Sequence, residues 1–312
     1  MTGTDPADAV RSRGFAPGTL PRTECPLCGG TRLRPVLDLR GRALLSCDEC
    51  GVRCTEVYGE REAIHRYYGD VQAHHGKIYA SDDGRADALQ AIARAQADAM
   101  EAICGARRHG RYCEIGSSRG HLLAEMEARG WEVSGIDVSD TSVEESRTRC
   151  RGPVHLGEPE DCPFEPGSFD RVAMFDVLAH LPHPVTTLGA AADLLKPGGQ
   201  LVLSSVNEGW PLVPLFHRLF RALPERTADL RDEMYEGQHY CYFSATNIGL
   251  ALEAAGLELV ATRPLPPLSA RFFVHHYSWR RRLALLSMVR LDRVLGSGRK
   301  MLVLARKPKA TR

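Results

Sequence analysis

The chain has 312 residues, 43% hydrophobic and 25% charged, which suits one large domain with a smaller appendage. Its 40 Lys and Arg residues nearly balance 39 Asp and Glu residues, so net charge favours neither a nucleic-acid nor a membrane partner. The basic charge is concentrated in residues 271–312, which contain 12 Lys and Arg but one acid, Asp292. No apolar run reaches the roughly 18–20 residues of a membrane span, and the N-terminus lacks the apolar core of an export signal. We therefore expect a cytoplasmic protein without a membrane partner.

Two closely spaced pairs of cysteines come first along the chain: Cys25 with Cys28, and Cys47 with Cys50. Each C-x-x-C pair presents two thiolates from a tight turn, and four thiolates suit a closed tetrahedral Zn²⁺ site. In a reducing compartment, such pairs bind metal more often than they form disulfides. The spacing therefore predicts a structural zinc site. Cys54 is either a spare thiol or a substitute ligand, and we favour the spare thiol.

The segments around the cysteines predict a small module. Residues 31–46 have the pattern of two short strands joined at 40–42, which together with the cysteines predicts a zinc ribbon. The following residues, 56–79, are rich in tyrosine and histidine and either line a substrate pocket or pack between modules. The alanine-rich residues 85–103 have the apolar spacing of a helix.

From residue 110 onward, apolar strands alternate with helical stretches, which predicts a parallel sheet covered by helices on both faces. The first strand, 111–115, carries Glu114 and runs directly into a glycine-rich turn, and the second strand ends at Asp137. Glycines let backbone N–H groups approach a ligand, and an acid at a strand end can bind a ribose diol. The arrangement indicates an adenosine-containing ligand. A dinucleotide-binding fold is less favoured, because its G-x-G-x-x-G motif needs a glycine where Ser118 stands.

Two further motifs follow in order, GEPEDCPFEPGSFDRVAMFDVLAHLPHP at 157–184 and LLKPGGQLVLSSVN at 194–207. With them, the sequence from about 111 to 308 resembles the class I S-adenosylmethionine-dependent methyltransferases. The pattern CPLCGG…LLSCDECGV, followed by a tyrosine-rich segment, is similar to a subgroup with a four-cysteine zinc module, often associated with polysaccharide and natural-product pathways. The resemblance implies an α/β, Rossmann-like sheet with helices on both faces, preceded by a small zinc ribbon. It also implies S-adenosylmethionine as cofactor and a structural Zn²⁺.

The resemblance further implies cofactor-binding residues in the glycine-rich turn and at the strand ends, namely Glu114, Gly116, Ser118, Gly120, Asp137, Glu158 and Phe175. Asp137 would bind both ribose hydroxyls, and Glu158 would reach the adenine amino group. Ser118 replaces the usual middle glycine, which the loop tolerates if its φ is negative. Ala179 and His183 replace the Glu and Asp of the family's E-H-x-x-D-P pattern, which leaves His180 as the polar residue that is retained there.

Residues 207–243 follow the fifth predicted strand and are too long for a simple turn, so we expect a lid over the methyl acceptor. Transfer from a sulfonium needs attack geometry, and it needs a general base only for a hydroxyl or carbon acid. His239 is the first candidate for that base and His180 the second. Asn207 and Tyr240 are candidates for orienting the substrate. The alternatives are that His239 anchors the lid and that His180 packs beside the cofactor.

We expect three parts in the chain: a disordered lead-in at 1–21, a zinc ribbon with its connector at 22–80, and the methyltransferase domain at 81–312. The basic residues 278–296 predict a helix that covers the sheet or binds an acidic partner, such as a nucleotide-linked sugar, a phosphorylated carrier or RNA. Residues 298–308 predict the last strand.

Three functions are compatible with this pattern. The favoured one is a methyltransferase for a small-molecule acceptor, which is a sugar or a secondary metabolite. If the basic helix binds this acceptor, we expect it to be acidic or linked to a carrier. Deoxysugar C-methyltransferases resemble this chain in their N-terminal zinc module but usually carry a further C-terminal domain after the last strand, so we expect O- or N-methylation rather than C-methylation. An RNA methyltransferase that uses the ribbon and the basic region is the alternative, although no RNA-binding motif accompanies them. A non-catalytic scaffold that binds the cofactor is the third, and Glu114 and Asp137 argue against it.

Overall fold

The computed structural model describes residues 18–69, 85–105, 109–235, 238–265, 290–292 and 294–309. Its N-terminal part consists of five short strands and one helix: β1 (Thr19–Pro21), β2 (Leu33–Asp38), β3 (Ala43–Cys47), β4 (Arg53–Thr55), β5 (Val57–Gly59) and α1 (Arg61–Gly69). The predicted hairpin is confirmed, since β2 and β3 pair antiparallel on either side of residues 39–42. Strand β1 pairs with β5, with Leu20 opposite Tyr58, so the disorder predicted up to residue 21 is wrong for residues 18–21.

The following part alternates strands and helices as predicted. Its elements are α2 (Arg85–Cys104), β6 (Arg111–Ile115), α3 (His121–Ala128), β7 (Glu132–Asp137), α4 (Asp140–Arg149), β8 (Val154–Leu156), β9 (Phe169–Phe175), α5 (Pro184–Leu194), β10 (Leu195–Val206), α6 (Val213–Ala222), α7 (Ala228–Met234), β11 (Cys241–Tyr242), α8 (Ala245–Ala254), β12 (Glu258–Pro264) and β13 (Lys300–Arg306). Local sequence fixes several helix starts. Ser139 caps α4 by accepting from the backbone N–H of Ser142, and Ser244 forms a capping box with Asn247 at α8.

The central sheet has seven strands in the order β12-β13-β10-β9-β6-β7-β8. Strands β8, β7, β6, β9 and β10 run parallel, whereas β13 is antiparallel to both of its neighbours. The chain order reverses direction between β6 and β9, and ligands bind at such a switch point, outside the carboxyl ends of the strands. We call the side of the sheet where β6, β7 and β9 end the cofactor edge.

Alternation along the strands produces two cores, one on each face of the sheet. In β13, Met301, Val303 and Ala305 face the core under α5 and α8, and Leu302 and Leu304 face the core under α2 and α3. The first core also contains Cys25, Leu27, Cys47 and Val52 of the N-terminal part. The ribbon is therefore packed onto the methyltransferase sheet through shared apolar contacts.

Strand β11 joins the two parts more directly. It pairs antiparallel with β4, with Cys241 opposite Cys54, and so completes a four-stranded sheet in the order β11-β4-β3-β2. The predicted lid at 207–243 thus contributes α6, α7 and a strand of the ribbon's own sheet.

Several predictions lie partly outside the described residues. Helix α1 occupies part of the tyrosine-rich connector, and residues 70–79 of the connector lie outside the described residues. The predicted basic helix at 278–296 lies mostly outside as well, whereas β13 confirms the predicted last strand. Among the helices of the described part, none combines the length and apolar character that crossing a bilayer requires.

Candidate active site

The turn between β6 and α3 has the geometry of a ligand cradle. Gly116 and Gly120 have φ angles of +72° and +77°, in the left-handed region that favours glycine. A Cβ on Gly116 would lie 2.4 Å from Cγ2 of Val177, and one on Gly120 would lie 2.3 Å from Oγ of Ser146. Both glycines are therefore required by close packing as well as by backbone conformation.

Ser118, the middle residue of this turn, corrects the expectation from sequence. Its φ is +47°, so the condition that it be negative is wrong. Left-handed backbone costs a residue with a Cβ about 1–2 kcal/mol. The Ser118 N–H donates to Oδ2 of Asp137 at 2.7 Å, and this bond to a carboxylate holds the turn in its left-handed form.

Two carboxylates lie at the cofactor edge, where β6 and β7 end. Asp137 accepts backbone hydrogen bonds on both oxygens, from Ser118 at 2.7 Å and from Ser139 at 2.9 Å. Burial raises the pKa of Asp137, and these backbone N–H groups partly offset the rise. Burial, and secondarily the charge of Asp137, raises the pKa of Glu114 well above its ordinary value.

Oε2 of Glu114 is buried and has no hydrogen-bond partner in the described structure. A buried acceptor without a partner is costly, so its presence at a strand end indicates a ligand with a donor. The cradle of glycines, the acceptor of Glu114 and the carboxylate of Asp137 thus fit an adenosine compound that also carries an amino group.

The remaining two predicted cofactor residues lie on either side of this edge. Phe175 is the last residue of β9, and the residue is 8% exposed. Glu158 precedes a short 3₁₀ turn, Pro159–Asp161, after β8. Its carboxylate contacts helix α1, with Nε of Arg61 and Nε2 of His65 both 3.0 Å away.

Asp176 also lies at the cofactor edge, and the sequence analysis missed it. It directly follows β9 and has a φ of +57°, an unusual conformation that tends to occur at functional positions. Its carboxylate accepts from Oγ of Ser204 at 3.0 Å and from Nζ of Lys300 at 2.6 Å, while its side chain is 48% exposed. Partial desolvation by the surrounding protein raises the pKa of Asp176, but the charge of Lys300 and these hydrogen bonds leave it below its ordinary value. The signal was available, because an acid right after a parallel strand lies at the same edge as Glu114.

The two candidate bases lie together just beyond Asp176. Their rings make an edge-on contact with centroids 4.5 Å apart. Nδ1 of His180 is 2.9 Å from the hydroxyl of Tyr68 and 3.3 Å from the backbone oxygen of Gln238. His239 is only 8% exposed, and burial followed by the charge of His180 lowers its pKa to about 2. His239 therefore has little basicity, whereas His180 is partly exposed at the edge.

The structure places the two candidate substrate residues in backbone contacts. The Asn207 amide donates to the oxygen of Gly298 at 2.9 Å and accepts from the N–H of Gly209 at 3.0 Å, so both ends of it hold the chain after β10. Tyr240 lies between ribbon and sheet: its backbone N–H donates to Ala179 and its backbone oxygen accepts from Thr55. Their predicted role toward a substrate stays a prediction.

A buried polar cluster connects the 207–243 segment to the ribbon. Glu208 accepts from Tyr235 at 2.6 Å, contacts Arg53 of β4, and lies 3.6 Å from Nε2 of His217. Burial raises the pKa of Glu208, but the His217 hydrogen bond and the charge of Arg53 leave it below its ordinary value. His217, on the apolar face of α6, is thus part of this buried polar cluster, in which it also hydrogen-bonds the Tyr235 hydroxyl.

The four predicted zinc ligands converge. Their sulfur atoms all lie within 4.8 Å of one another, with Cys25 and Cys50 3.5 Å apart and Cys28 and Cys47 3.6 Å apart. A tetrahedral site with Zn–S bonds of about 2.3 Å has sulfur–sulfur edges of about 3.8 Å, so the donor set fits the metal. Cys54 is fully buried in β4 and lies outside this cluster.

Comparison with known proteins agrees with this geometry. The profile of a family described as "Methyltransferase domain" matches residues 85–262, more than half of the chain. The chain belongs to this methyltransferase family. Together with the class I strand order, this makes the protein an S-adenosylmethionine-dependent methyltransferase.

Two curated relatives are named ubiquinone biosynthesis O-methyltransferase. The protein of Xanthomonas euvesicatoria pv. vesicatoria is 29% identical over 180 residues, which cover 54% of this chain and 74% of that protein. The protein of Aromatoleum aromaticum is 32% identical over 106 residues, which cover 32% of this chain and 45% of that protein. The chain therefore spans less than half of the length of the second relative.

Two solved structures share the fold at low identity. One comes from a complex between the Haloferax volcanii Trm112 methyltransferase activator and a methyltransferase. It has a TM-score of 0.51 and 18% sequence identity, and the match covers 72% of this chain and 95% of that chain. The other is the geranyl diphosphate C-methyltransferase of Streptomyces coelicolor A3(2). It has a TM-score of 0.50 and 16% sequence identity, and the match covers 69% of this chain and 79% of that chain. These likenesses establish the fold alone.

Proposed function

We propose that the enzyme methylates a hydroxyl oxygen of a small secondary metabolite, with His180 as the general base. The observation that carries this proposal is the setting of His180, a partly exposed imidazole at the carboxyl edge of the sheet. The names of the curated relatives support O-methylation. When bound, S-adenosylmethionine supplies an electrophilic methyl group, and the protein must align the acceptor and remove its proton.

The proposal requires the His180 tautomer with its ring proton on Nδ1. The contacts of Nδ1 are compatible with it: the Gln238 backbone oxygen, 3.3 Å away, can only accept, and the Tyr68 hydroxyl, 2.9 Å away, can accept from the same N–H. Nε2 then carries the lone pair that can take a hydroxyl proton. The carboxylate of Asp176 lies near enough for the two charges to interact, and it stabilises the imidazolium that forms. The pKa of His239 is too low for a general base. In this proposal the His239 ring instead packs against the His180 ring and orients it.

The carboxylates at the cofactor edge take separate roles toward the cofactor. Each carboxylate oxygen has two lone pairs, so Asp137 can accept a ribose diol while it keeps its two backbone hydrogen bonds. Glu114 would offer its unpaired oxygen to the amino group of the cofactor. Glu158 would accept from the amino group of the adenine, as the resemblance to the family implies. Removing water around these groups strengthens each contact.

The zinc ribbon has a structural role in this proposal. Four thiolates leave no open coordination position, so the metal would hold the ribbon and take no part in transfer. Cys25 and Cys47 lie in the core shared with the sheet, and β4 of the ribbon binds β11, which directly follows His239 and Tyr240. Zinc at this site therefore stabilises the strand that carries the acceptor side of the site.

The test is incorporation of label from methyl-labelled S-adenosylmethionine into an extract of the source cells, separated into small-molecule, RNA and protein fractions. The proposal predicts label in the small-molecule fraction, as an ether methyl that resists mild acid and base. Label in RNA would contradict it and favour the RNA methyltransferase. The same extract with the Asp137→Ala protein is the control for background transfer.

A further inference from the structure

Helix α1 belongs to the N-terminal part but faces the cofactor edge. Arg61, His65 and Tyr68 are spaced at i, i+4 and i+7, which places them on one side of the helix. All three contact the methyltransferase part. Arg66 lies on another side of the helix, and within the described part of the chain its hydrogen bond goes to the backbone oxygen of Glu62 in the same helix.

One end of α1 binds the predicted adenine side of the site. Nε of Arg61 lies 3.0 Å from Oε2 of Glu158, and Nε2 of His65 lies 3.0 Å from Oε1 of the same carboxylate. Arg61 also pairs with Asp161, one turn further along the 3₁₀ segment. Both oxygens of Glu158 are thus held from α1. We call Arg61, His65, Glu158 and Asp161 the latch.

The other end of α1 reaches the acceptor side. The Tyr68 hydroxyl is 2.9 Å from Nδ1 of His180, and the Tyr67 hydroxyl donates to Oε1 of Gln238 at 2.6 Å. One helix therefore spans the cofactor and acceptor sides of the site.

The described contacts of α1 with the methyltransferase part are ion pairs, hydrogen bonds and an edge-on contact between the rings of Tyr68 and His180. None of its nine residues is buried, and the side chains of Arg61 and His65 are 52% and 33% exposed. Partly exposed ion pairs are individually weak, and a segment without buried apolar contacts opens at low cost. An element of this kind suits a site whose ligand must leave after every turnover, because the S-adenosylhomocysteine product has to be exchanged.

We propose that α1 is a lid on the cofactor edge and that the latch slows the release of the cofactor. Arg61 and His65 act as positioning residues: they fix the Glu158 carboxylate toward adenine and close the helix over it. Since Glu158 contacts adenine only under the proposed function, the latch rests on that function.

The test compares Arg61→Gln with Arg66→Gln, which removes the same charge from the same helix without touching the latch. Release of S-adenosylhomocysteine from immobilised full-length protein is followed by surface plasmon resonance. We expect Arg61→Gln to release the ligand roughly three- to tenfold faster, the effect of losing two partly exposed ion pairs, and Arg66→Gln to match the native protein. Higher salt should accelerate release from the native protein more than from Arg61→Gln, because salt screens the latch.

A double-variant comparison separates the two proposals. Glu158→Gln should also release the ligand faster, and adding Arg61→Gln to it should have a smaller effect than in the native background. If Glu158→Gln binds and releases the ligand as the native protein does, Glu158 is not at the adenine and the latch is overturned together with that part of the cofactor site. If Glu158→Gln changes release while Arg61→Gln and Arg66→Gln both match the native protein, the latch alone is wrong.

Discussion

Gly116→Ala tests the cradle at the end of β6 most sharply, because the structure gives two separate reasons for a glycine there. The φ of +72° costs a residue with a Cβ about 1–2 kcal/mol. The new Cβ would also lie 2.4 Å from Cγ2 of Val177, closer than real Cβ contacts allow. Overlap of this kind in a packed site costs about 1–3 kcal/mol.

We therefore expect Gly116→Ala to lower the free energy of unfolding by about 2–5 kcal/mol. In a Val177→Ala background the second cost disappears, since the next nearest atom, Cβ of Val177, is 3.6 Å from the new Cβ. The same change there should cost only about 1–2 kcal/mol.

Urea unfolding measures these differences, and Gly189→Ala is the matched control. Gly189 lies inside α5 with nothing within 4 Å of a built Cβ, so alanine there should be neutral or stabilising. Two results would refute the packing described for the turn. One is that Gly116→Ala and Gly189→Ala change the free energy of unfolding equally, and the other is that the effect of Gly116→Ala is the same with Val177 and with Val177→Ala.

Three further outcomes follow from the site. Purified protein should contain about one equivalent of zinc by mass spectrometry. The Cys47→Ser variant should lose the zinc and the Cys54→Ser variant should keep it, whereas loss of the zinc from both variants would show that Cys54 is a ligand. Glu208 has a lowered pKa in the folded state, so its stabilisation is present above its ordinary pKa of 4.5 and is lost as pH falls through the folded value. The difference in unfolding free energy between the native protein and Glu208→Gln should therefore be largest above pH 4.5 and shrink in acid, and a difference independent of pH would count against the ion-pair network. His180→Gln should lower kcat by about 100-fold or more and leave S-adenosylhomocysteine affinity unchanged, whereas an unchanged kcat would assign the proton transfer elsewhere.

Much of the fold could be predicted from the sequence because its signals are local. The apolar runs at β6, β7 and β9 and the helical spacing of α2 depend only on neighbouring residues. The spacing of Cys25, Cys28, Cys47 and Cys50 likewise predicted a convergence that the structure shows. The ends of β6 and β7 could be located because parallel strands place their carboxyl ends at one edge.

What the sequence could not supply were contacts between distant segments. Strand β11 is two residues long, too short for any periodic pattern, and its pairing with β4 depends on the whole fold. Helix α1 reaches Glu158 and His180 over 93 and 112 residues of sequence, and nothing local to any of them indicates the contact.

The backbone of Ser118 was misjudged for a related reason. Serine, like other residues with a Cβ, is expected to avoid a positive φ, so the residue type at this position predicted an extended or right-handed backbone. The Asp137 carboxylate, nineteen residues away, accepts the Ser118 N–H in the left-handed form. A tertiary hydrogen bond thus outweighs a local preference at the cofactor edge.

The most direct test of the account is the affinity of S-adenosylhomocysteine for the native protein and for Asp137→Ala, measured by titration calorimetry. Asp140→Ala is the control, because this exposed carboxylate lies three residues away at the start of α4. The account predicts one ligand per chain, a loss of about 1–3 kcal/mol of binding free energy in Asp137→Ala, and no loss in Asp140→Ala. Equal affinity of the native and Asp137→Ala proteins would contradict the placement of the cofactor at the ends of β6 and β7.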